Sequence, residues 1–398
     1  PGDAGSQVFA KLNKTEGPHI FCFKKTDDYF QLWLNLELLA PLALDCWVDN
    51  MKLIYNNKTR TTSNTPGVEI KIPQMGDTFP VEYLDTSNIS VSMYFGALVT
   101  NAVKEWGYER NRNIVGVPYD FRRAPNEQKI FFEDLRKLIE RTYYANGNKK
   151  VAIVAHSMGN SIALYLYNQQ TQMWKDKFIA SHVGIAAPWG GSAKVYRMVA
   201  SGYNMDHYRI LVSPLTLRTQ QRSMPSTYWL LPSDKFWNED EAIIKITEDD
   251  TIYTTKNYEQ FFKDLNFQDG WDMYQDTKDL SYEMKAPGVE IHCIYGVGLP
   301  TPEKFVYAKK SHFPDTQPDE VMGDGDGTVN VRSIEACQRW RQEQSQPVYI
   351  KEIEKWEHLE ILQNREVIDY VKRVVLRKSS AEKPPGKKRA LRFDRSFT

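Results

Sequence analysis

Val151-Ala152-Ile153-Val154-Ala155-His156-Ser157-Met158-Gly159-Asn160 is the stretch whose reading decides the fold. Val151 to Ala155 is a short apolar, mostly β-branched run that reads as a buried strand, and Ser161 to Gln169 carries a helical apolar period. Between them a serine sits in a small-x-Ser-x-Gly frame. Such a frame arises by chance about 0.3 times in a chain of this length. Here it lies between a strand and a helix, where a tight turn lifts the serine hydroxyl clear of a sheet and small flanking residues avoid a clash. Ser157 is therefore the candidate nucleophile.

Outward from this turn, strand-like and helical patterns alternate. Ile114 to Val117 reads as a strand, Glu127 to Tyr144 as an amphipathic helix, Ile179 to Ala186 and Glu290 to Tyr295 as strands, Ser333 to Glu343 as a helix, Val348 to Ile353 as a strand and Leu359 to Leu376 as a helix. This rhythm predicts an α/β fold with a mostly parallel sheet covered on both faces. Two stretches break it. Residues 22–75 begin with an aromatic and leucine-rich piece between two cysteines, and residues 202–288 are rich in Tyr, Trp, Asp and Pro. Both read as insertions, the second as a cap or lid. The core is then expected in residues 76–201 and 289–376, with residues 1–21 as its start and a basic, disordered tail over 377–398.

Composition narrows the class. The 398 residues are 41% hydrophobic and 26% charged, which excludes a disordered, collagen-like or coiled-coil chain. Lys+Arg and Asp+Glu are 51 each, but residues 377–398 hold 8 basic and 2 acidic residues, so the body is about −6 and the tail about +6. That distribution gives no nucleic-acid footprint. The longest apolar stretch, Leu32 to Leu44, is broken by Asn35, Glu37 and Pro41 and falls short of the roughly 20 residues a spanning helix needs. The opening Pro1-Gly2-Asp3 has no signal-peptide pattern, so any such peptide is expected to have been removed or never to have existed. Cys22, Cys46, Cys293 and Cys337 lack metal-like spacing and suit two disulfides in any of three connectivities, or four buried thiols. Sequons at Asn13, Asn57 and Asn88 are about as many as chance supplies.

A serine nucleophile needs a base, and the base a carboxylate to orient it. Five histidines follow Ser157: His182, His207, His292, His312 and His358. His182 and His292 fall inside expected strands. His358 follows the strand Val348 to Ile353 and precedes a helix, at a strand's carboxyl end where such sites form. Asp326, in the turn Gly323-Asp324-Gly325-Asp326-Gly327-Thr328-Val329-Asn330, is the expected acid, with Asp324 its rival. A calcium-loop reading of this turn fails at its sixth position, where Val329 replaces glycine. A dinucleotide reading of Gly296-Val297-Gly298 fails because Thr301 stands where the third glycine belongs. No metal or organic cofactor is expected.

Taken together, Pro1-Gly2-Asp3, Trp33-Leu34-Asn35-Leu36-Glu37, Asp45-Cys46-Trp47, Pro118 to Pro125, Ala155 to Gly159, Ala187 to Gly191, Gly323 to Asn330 and Glu357-His358 resemble the lecithin:cholesterol acyltransferase family, and within it the lysosomal branch. The resemblance implies an α/β-hydrolase fold and the triad Ser157, Asp326 and His358. It also implies an oxyanion hole from the backbone N–H groups of Asp3 and Met158, and disulfides Cys22–Cys46 and Cys293–Cys337. The family has an apolar strand before Pro-Gly-Asp that this sequence does not carry. The implied activity is a calcium-independent phospholipase A and O-acyltransferase. It would move an acyl chain from a glycerophospholipid through Ser157 to water or a lipid alcohol such as ceramide, in the lysosome lumen reached by the secretory pathway. The alternatives are a secreted phosphatidylcholine-sterol acyltransferase or a silent lipid-binding module. Trp33, Leu36, Leu39 and Leu42 recur every three residues, as along one side of a helix, and the family uses this segment for peripheral contact with membranes. An acidic optimum, also implied, would require a lowered His358 pKa or tighter lipid binding in acid.

Overall fold

A computed structural model describes residues 1–204 and 212–377. The basic tail beyond Arg377 and His207 lie outside the described residues. Four parallel strands form the central sheet, in the spatial order Val348–Glu354, Ile291–Val297, Ile179–Ile185, Val151–His156. Ile291–Val297 and Ile179–Ile185 are buried almost throughout, as parallel strands covered on both faces must be. The helices Lys129–Ala145 and Arg365–Val375 each bury one apolar face against neighbouring elements, while Met158–Gln169 is buried nearly all round. The architecture is mixed α/β with a parallel sheet, as the alternation of strands and helices predicts. No helix among the described residues is long and apolar enough to cross a membrane.

Several elements differ from the sequence expectation. Ile114 to Val117 is not a strand; the segment makes only isolated bridges, Arg110 with Ile114 and Gly76 with Gly116. The single helix expected over Ser333 to Glu343 is a chain of short pieces, Val331–Ile334, Glu335–Arg339 and Trp340–Glu343.

The region 202–288 contains strands that its composition did not reveal. Ile244–Ile246 and Thr251–Tyr253 join Leu299–Tyr307 and Asp319–Gly325 in a second four-stranded sheet. Around it Tyr196, Tyr228, Tyr258, Phe261, Phe262, Phe305 and Tyr307 form a separate aromatic core. A third sheet, Phe30–Trp33, Val8–Leu12 and Val68–Lys71, carries the first residues of the chain.

The Trp33 to Leu42 segment departs most. Phe30–Trp33 is a strand, Leu36–Leu39 a single 3-10 turn, and no helix presents the four residues on one side. Trp33 is buried, its indole N–H donating to the Ala4 carbonyl at 2.7 Å and its rings packed on Trp47 and Phe121. Leu39 packs partly against the core, whereas Leu36 and Leu42 are exposed. Antiparallel pairing of Val8 with Trp33 has overridden the apparent helical period.

Candidate active site

The strand Val151–His156 ends at the sheet's carboxyl edge and the helix Met158–Gln169 begins one residue later. Ser157, between them, holds φ 53° and ψ −133°, a conformation non-glycine residues rarely adopt and the one a nucleophile elbow imposes. The turn is held from several sides. Ser157 N–H donates to the Ile185 carbonyl at 3.0 Å, and the Asn160 amide donates to the carbonyls of Ser157 and Ile185 at 3.0 and 3.1 Å. The buried His182 bonds Asn160 Oδ1 at 2.9 Å. Gly159 has to be glycine, because a Cβ there would lie 2.3 Å from the Pro1 carbonyl oxygen.

The other two residues of the expected triad reach the same point from different elements. Ser157 Oγ lies 3.0 Å from His358 Nε2, and His358 Nδ1 lies 2.7 Å from Asp326 Oδ2. Asp326 is fully buried. Its Oδ1 accepts from the backbone N–H groups of Thr328 and Val329 at 3.0 and 2.7 Å, and its carbonyl accepts from His358 N–H at 2.9 Å. The Gly323 to Asn330 turn thus fixes the carboxylate with its own backbone. Asp324, the rival, is exposed and accepts from Gly298 N–H instead. His182 and His292 are buried in their strands.

Burial alone would lower the His358 pKa, but the charge of Asp326 and its hydrogen bond outweigh it and hold the imidazole above its ordinary value. This direction favours the other of the two routes to an acid optimum, tighter lipid binding in acid.

The first residues of the chain close the site. A Cβ on Gly2 would lie 2.6 Å from Ser157 Cβ and 3.2 Å from its Oγ, so the Gly2–Asp3 backbone runs against the nucleophile. Met158 opens a helix, whose first N–H groups have no intrahelical acceptor. The Asp3 carboxyl is pushed up to about 6 by burial, and its Oδ1 has no hydrogen-bond partner among the described residues.

Cys22 is joined to Cys46 and Cys293 to Cys337. His19 lies beside the first pair, but both sulfurs belong to the disulfide, which leaves one imidazole and no ligand set for a metal. Four strongly exposed large apolar side chains flank this disulfide in the sequence: Ile20, Phe21 and Phe23 beside Cys22, and Leu42 near Cys46, each at least 79% exposed. Ile20, Phe21 and Phe23 carry no strand or helical period that singles them out in the sequence. Asn13, Asn57 and Asn88 are all exposed.

The lecithin:cholesterol acyltransferase family model matches residues 29–365. The chain is 47% identical over 377 residues to the lysosomal phospholipase A and acyltransferase of Mus musculus, covering 94% of this chain and 89% of that protein. The protein of the same name from Homo sapiens is 47% identical over 378 residues, with the same coverage. The phosphatidylcholine-sterol acyltransferase of Gallus gallus is 42% identical over 363 residues, covering 91% of this chain and 86% of that one. With the elbow, the parallel sheet and a match of this extent, the chain belongs to the lecithin:cholesterol acyltransferase family.

Proposed function

We propose that this protein is a serine phospholipase A and O-acyltransferase, and that the single observation carrying the reading is the unbroken line Ser157 Oγ, His358 Nε2, His358 Nδ1, Asp326 Oδ2. His358 takes the Ser157 proton as the hydroxyl oxygen attacks the ester carbon of a glycerophospholipid, and returns it to the departing lysophospholipid oxygen. Asp326, accepting from Nδ1–H, fixes the tautomer with a bare Nε2 and stabilises the imidazolium. The N–H groups of Asp3 and Met158 receive the charge on the carbonyl oxygen. An acyl-Ser157 ester results. His358 then deprotonates whichever acceptor enters, water giving a fatty acid and a lipid alcohol such as ceramide giving an acylated lipid.

Identity of 47% to the lysosomal relatives against 42% to the sterol acyltransferase of Gallus gallus supports the lysosomal branch over the secreted one. Membrane contact is proposed through Ile20, Phe21, Phe23, Leu36 and Leu42, which are exposed, rather than through Trp33. The exposed sequons Asn13, Asn57 and Asn88 are accessible to glycosylation on that route. The test offers phosphatidylcholine vesicles holding ceramide and sterol together and follows the lipid products. Acylceramide with free fatty acid supports the reading; sterol ester alone moves it to the secreted branch. No product, with no labelling of Ser157 by a fluorophosphonate, leaves a lipid-binding module.

A further inference from the structure

The acyl-transfer reading requires three segments remote in sequence to meet within a few tenths of an ångström: residues 1–3 with an oxyanion donor, the elbow with the nucleophile, and the 358 loop with the base. A chain of hydrogen bonds that uses no triad side chain links all three. Gly2 N–H donates to the Tyr94 hydroxyl oxygen at 2.8 Å. The same hydroxyl lies 2.6 Å from His156 Nδ1, and His156 Nε2 lies 2.8 Å from the backbone carbonyl oxygen of His358. A carbonyl only accepts, so Nε2 carries the imidazole hydrogen, Nδ1 is bare, and the Tyr94 hydroxyl donates to it. Each link thus pairs one donor with one acceptor, the Tyr94 hydroxyl accepting from Gly2 and donating to His156. Tyr94 and His156 are 3% and 2% exposed, and their rings meet edge to face at 5.4 Å.

We propose that Tyr94 and His156 are positioning residues of the acyl-transfer site, a buried bracket that sets the spacing between the Gly2–Asp3 peptide and the His358 imidazole. Neither touches the reacting atoms. Burial, with the nearby His358 adding to it, keeps His156 far below the usual histidine range, and burial raises the Tyr94 hydroxyl above its ordinary value. Both therefore stay neutral and the bond directions do not reverse with pH. The loop they hold is fixed on other sides too, by the Tyr119 hydroxyl donating to the Pro1 carbonyl and by Trp33 donating to that of Ala4. Of these contacts, the Tyr94–His156 path is the one that continues to the base. His156 directly precedes the nucleophile, so the bracket also grips the elbow from its strand side. A misplacement of about 1 Å among such groups costs on the order of 100-fold in rate.

The inference rests on the acyl-transfer reading, and its test separates the two. Functional sites are counted by fluorophosphonate titration of Ser157 to the end point, and turnover per titrated site is measured on a soluble short-chain ester and on vesicles. The variants are Tyr94→Phe, His156→Met, the double variant and His156→Gln, whose amide again offers one acceptor and one donor. Expected are losses of about 10- to 100-fold in kcat for Tyr94→Phe and His156→Met on both substrates, with KM within about twofold. The double variant should lose no more than the worse single, and His156→Gln should recover to within about fivefold of wild type. Wild-type kcat per site in either single variant, losses that multiply, or His156→Gln no better than His156→Met overturns the bracket. If Tyr94→Phe yields no titratable protein, the comparison of Gln with Met at position 156 decides. If the wild type itself takes up no fluorophosphonate, the acyl-transfer reading falls first.

Discussion

At the scale of single residues, the arrangement of Ser157, His358 and Asp326 makes unequal demands on its members. Ser157→Ala or His358→Ala removes the proposed nucleophile or its proposed base and should lower turnover by about 10⁴–10⁶. Asp326→Asn, which loses the carboxylate while keeping the shape, should cost about 10⁴, and the losses should not multiply. Asp324→Asn should change turnover little, because that side chain is exposed and holds only Gly298 N–H; steady-state rates of the four variants check the assignment. Asp3 carries a separate expectation. Its folded-state pKa of about 6 lies above the ordinary 3.8, so it favours folding most fully below pH 4 and the contribution is lost as pH rises through 6. The difference corresponds to roughly 3 kcal/mol at most. Asp3→Asn should therefore raise the melting temperature near pH 7.5 and leave it nearly unchanged near pH 4. Its ionised carboxylate, next to the peptide beside Ser157, also opposes charge growing on the ester oxygen. With His358 held protonated at the acid end, the wild-type profile should be a bell whose alkaline limb Asp3→Asn extends. A pH–rate series with an unshifted alkaline limb would disprove the role of Asp3.

At the scale of elements, the loop closed by Cys22–Cys46 and the strand inside it have different tasks. Leu42, Ile20, Phe23 and Phe21 are 79–88% exposed, so inserting each into lipid stabilises attachment by about 1–1.5 kcal/mol, roughly tenfold in affinity. Phe21→Ser and Leu42→Ser should weaken vesicle binding by that factor each and spare a soluble ester. Trp33→Ser should instead impair both substrates, since Trp33 is core and holds the Ala4 carbonyl. Vesicle sedimentation run beside a soluble-ester assay separates the two patterns. How far such elements were legible follows from their periodicity. Ile179–Ile185 and Ile291–Val297 announced themselves as apolar runs because both of their faces are covered, whereas Val151–His156 and Val348–Glu354 are mostly half-buried and showed through their β-branched residues. Thr61–Asn64 is polar throughout and the strands Ile244–Ile246 and Thr251–Tyr253 are three residues long, so neither carries a period to read. Trp33, Leu36, Leu39 and Leu42 carried a false one, because a three-residue spacing across a strand and a 3-10 turn mimics a helix face.

At the scale of the whole molecule, the site was more legible than the fold around it. Ser157, Asp326 and His358 each sit in a local pattern: an elbow, a glycine-rich turn, and a histidine after a strand. Tyr94 has none, because its meaning lies in contacts with Gly2 and His156, 92 and 62 residues away. The aromatic core around Phe261 and Tyr307 was hidden for the same reason, as it unites residues 193–274 with 305–307. Ser157 and His358 follow strands of the central sheet, whereas Asp326 follows Asp319–Gly325 of the second sheet, and the three meet at one point. On the proposed mechanism one Ser157–His358 pair then serves both halves of the reaction whatever acceptor arrives. On that proposal water and a lipid alcohol compete for a single acyl-enzyme, and the acceptor acts after the committed step in which lysophospholipid leaves. Raising ceramide in phosphatidylcholine vesicles should divert acyl groups from fatty acid to acylceramide while lysophospholipid release stays within about twofold, as long as acylation limits the rate. The ratio of the two products should rise linearly with ceramide and be the same for different leaving lysophospholipids that share one acyl chain. A ratio that changes with the leaving group would mean that the acceptor meets the donor lipid directly, without a common intermediate on Ser157.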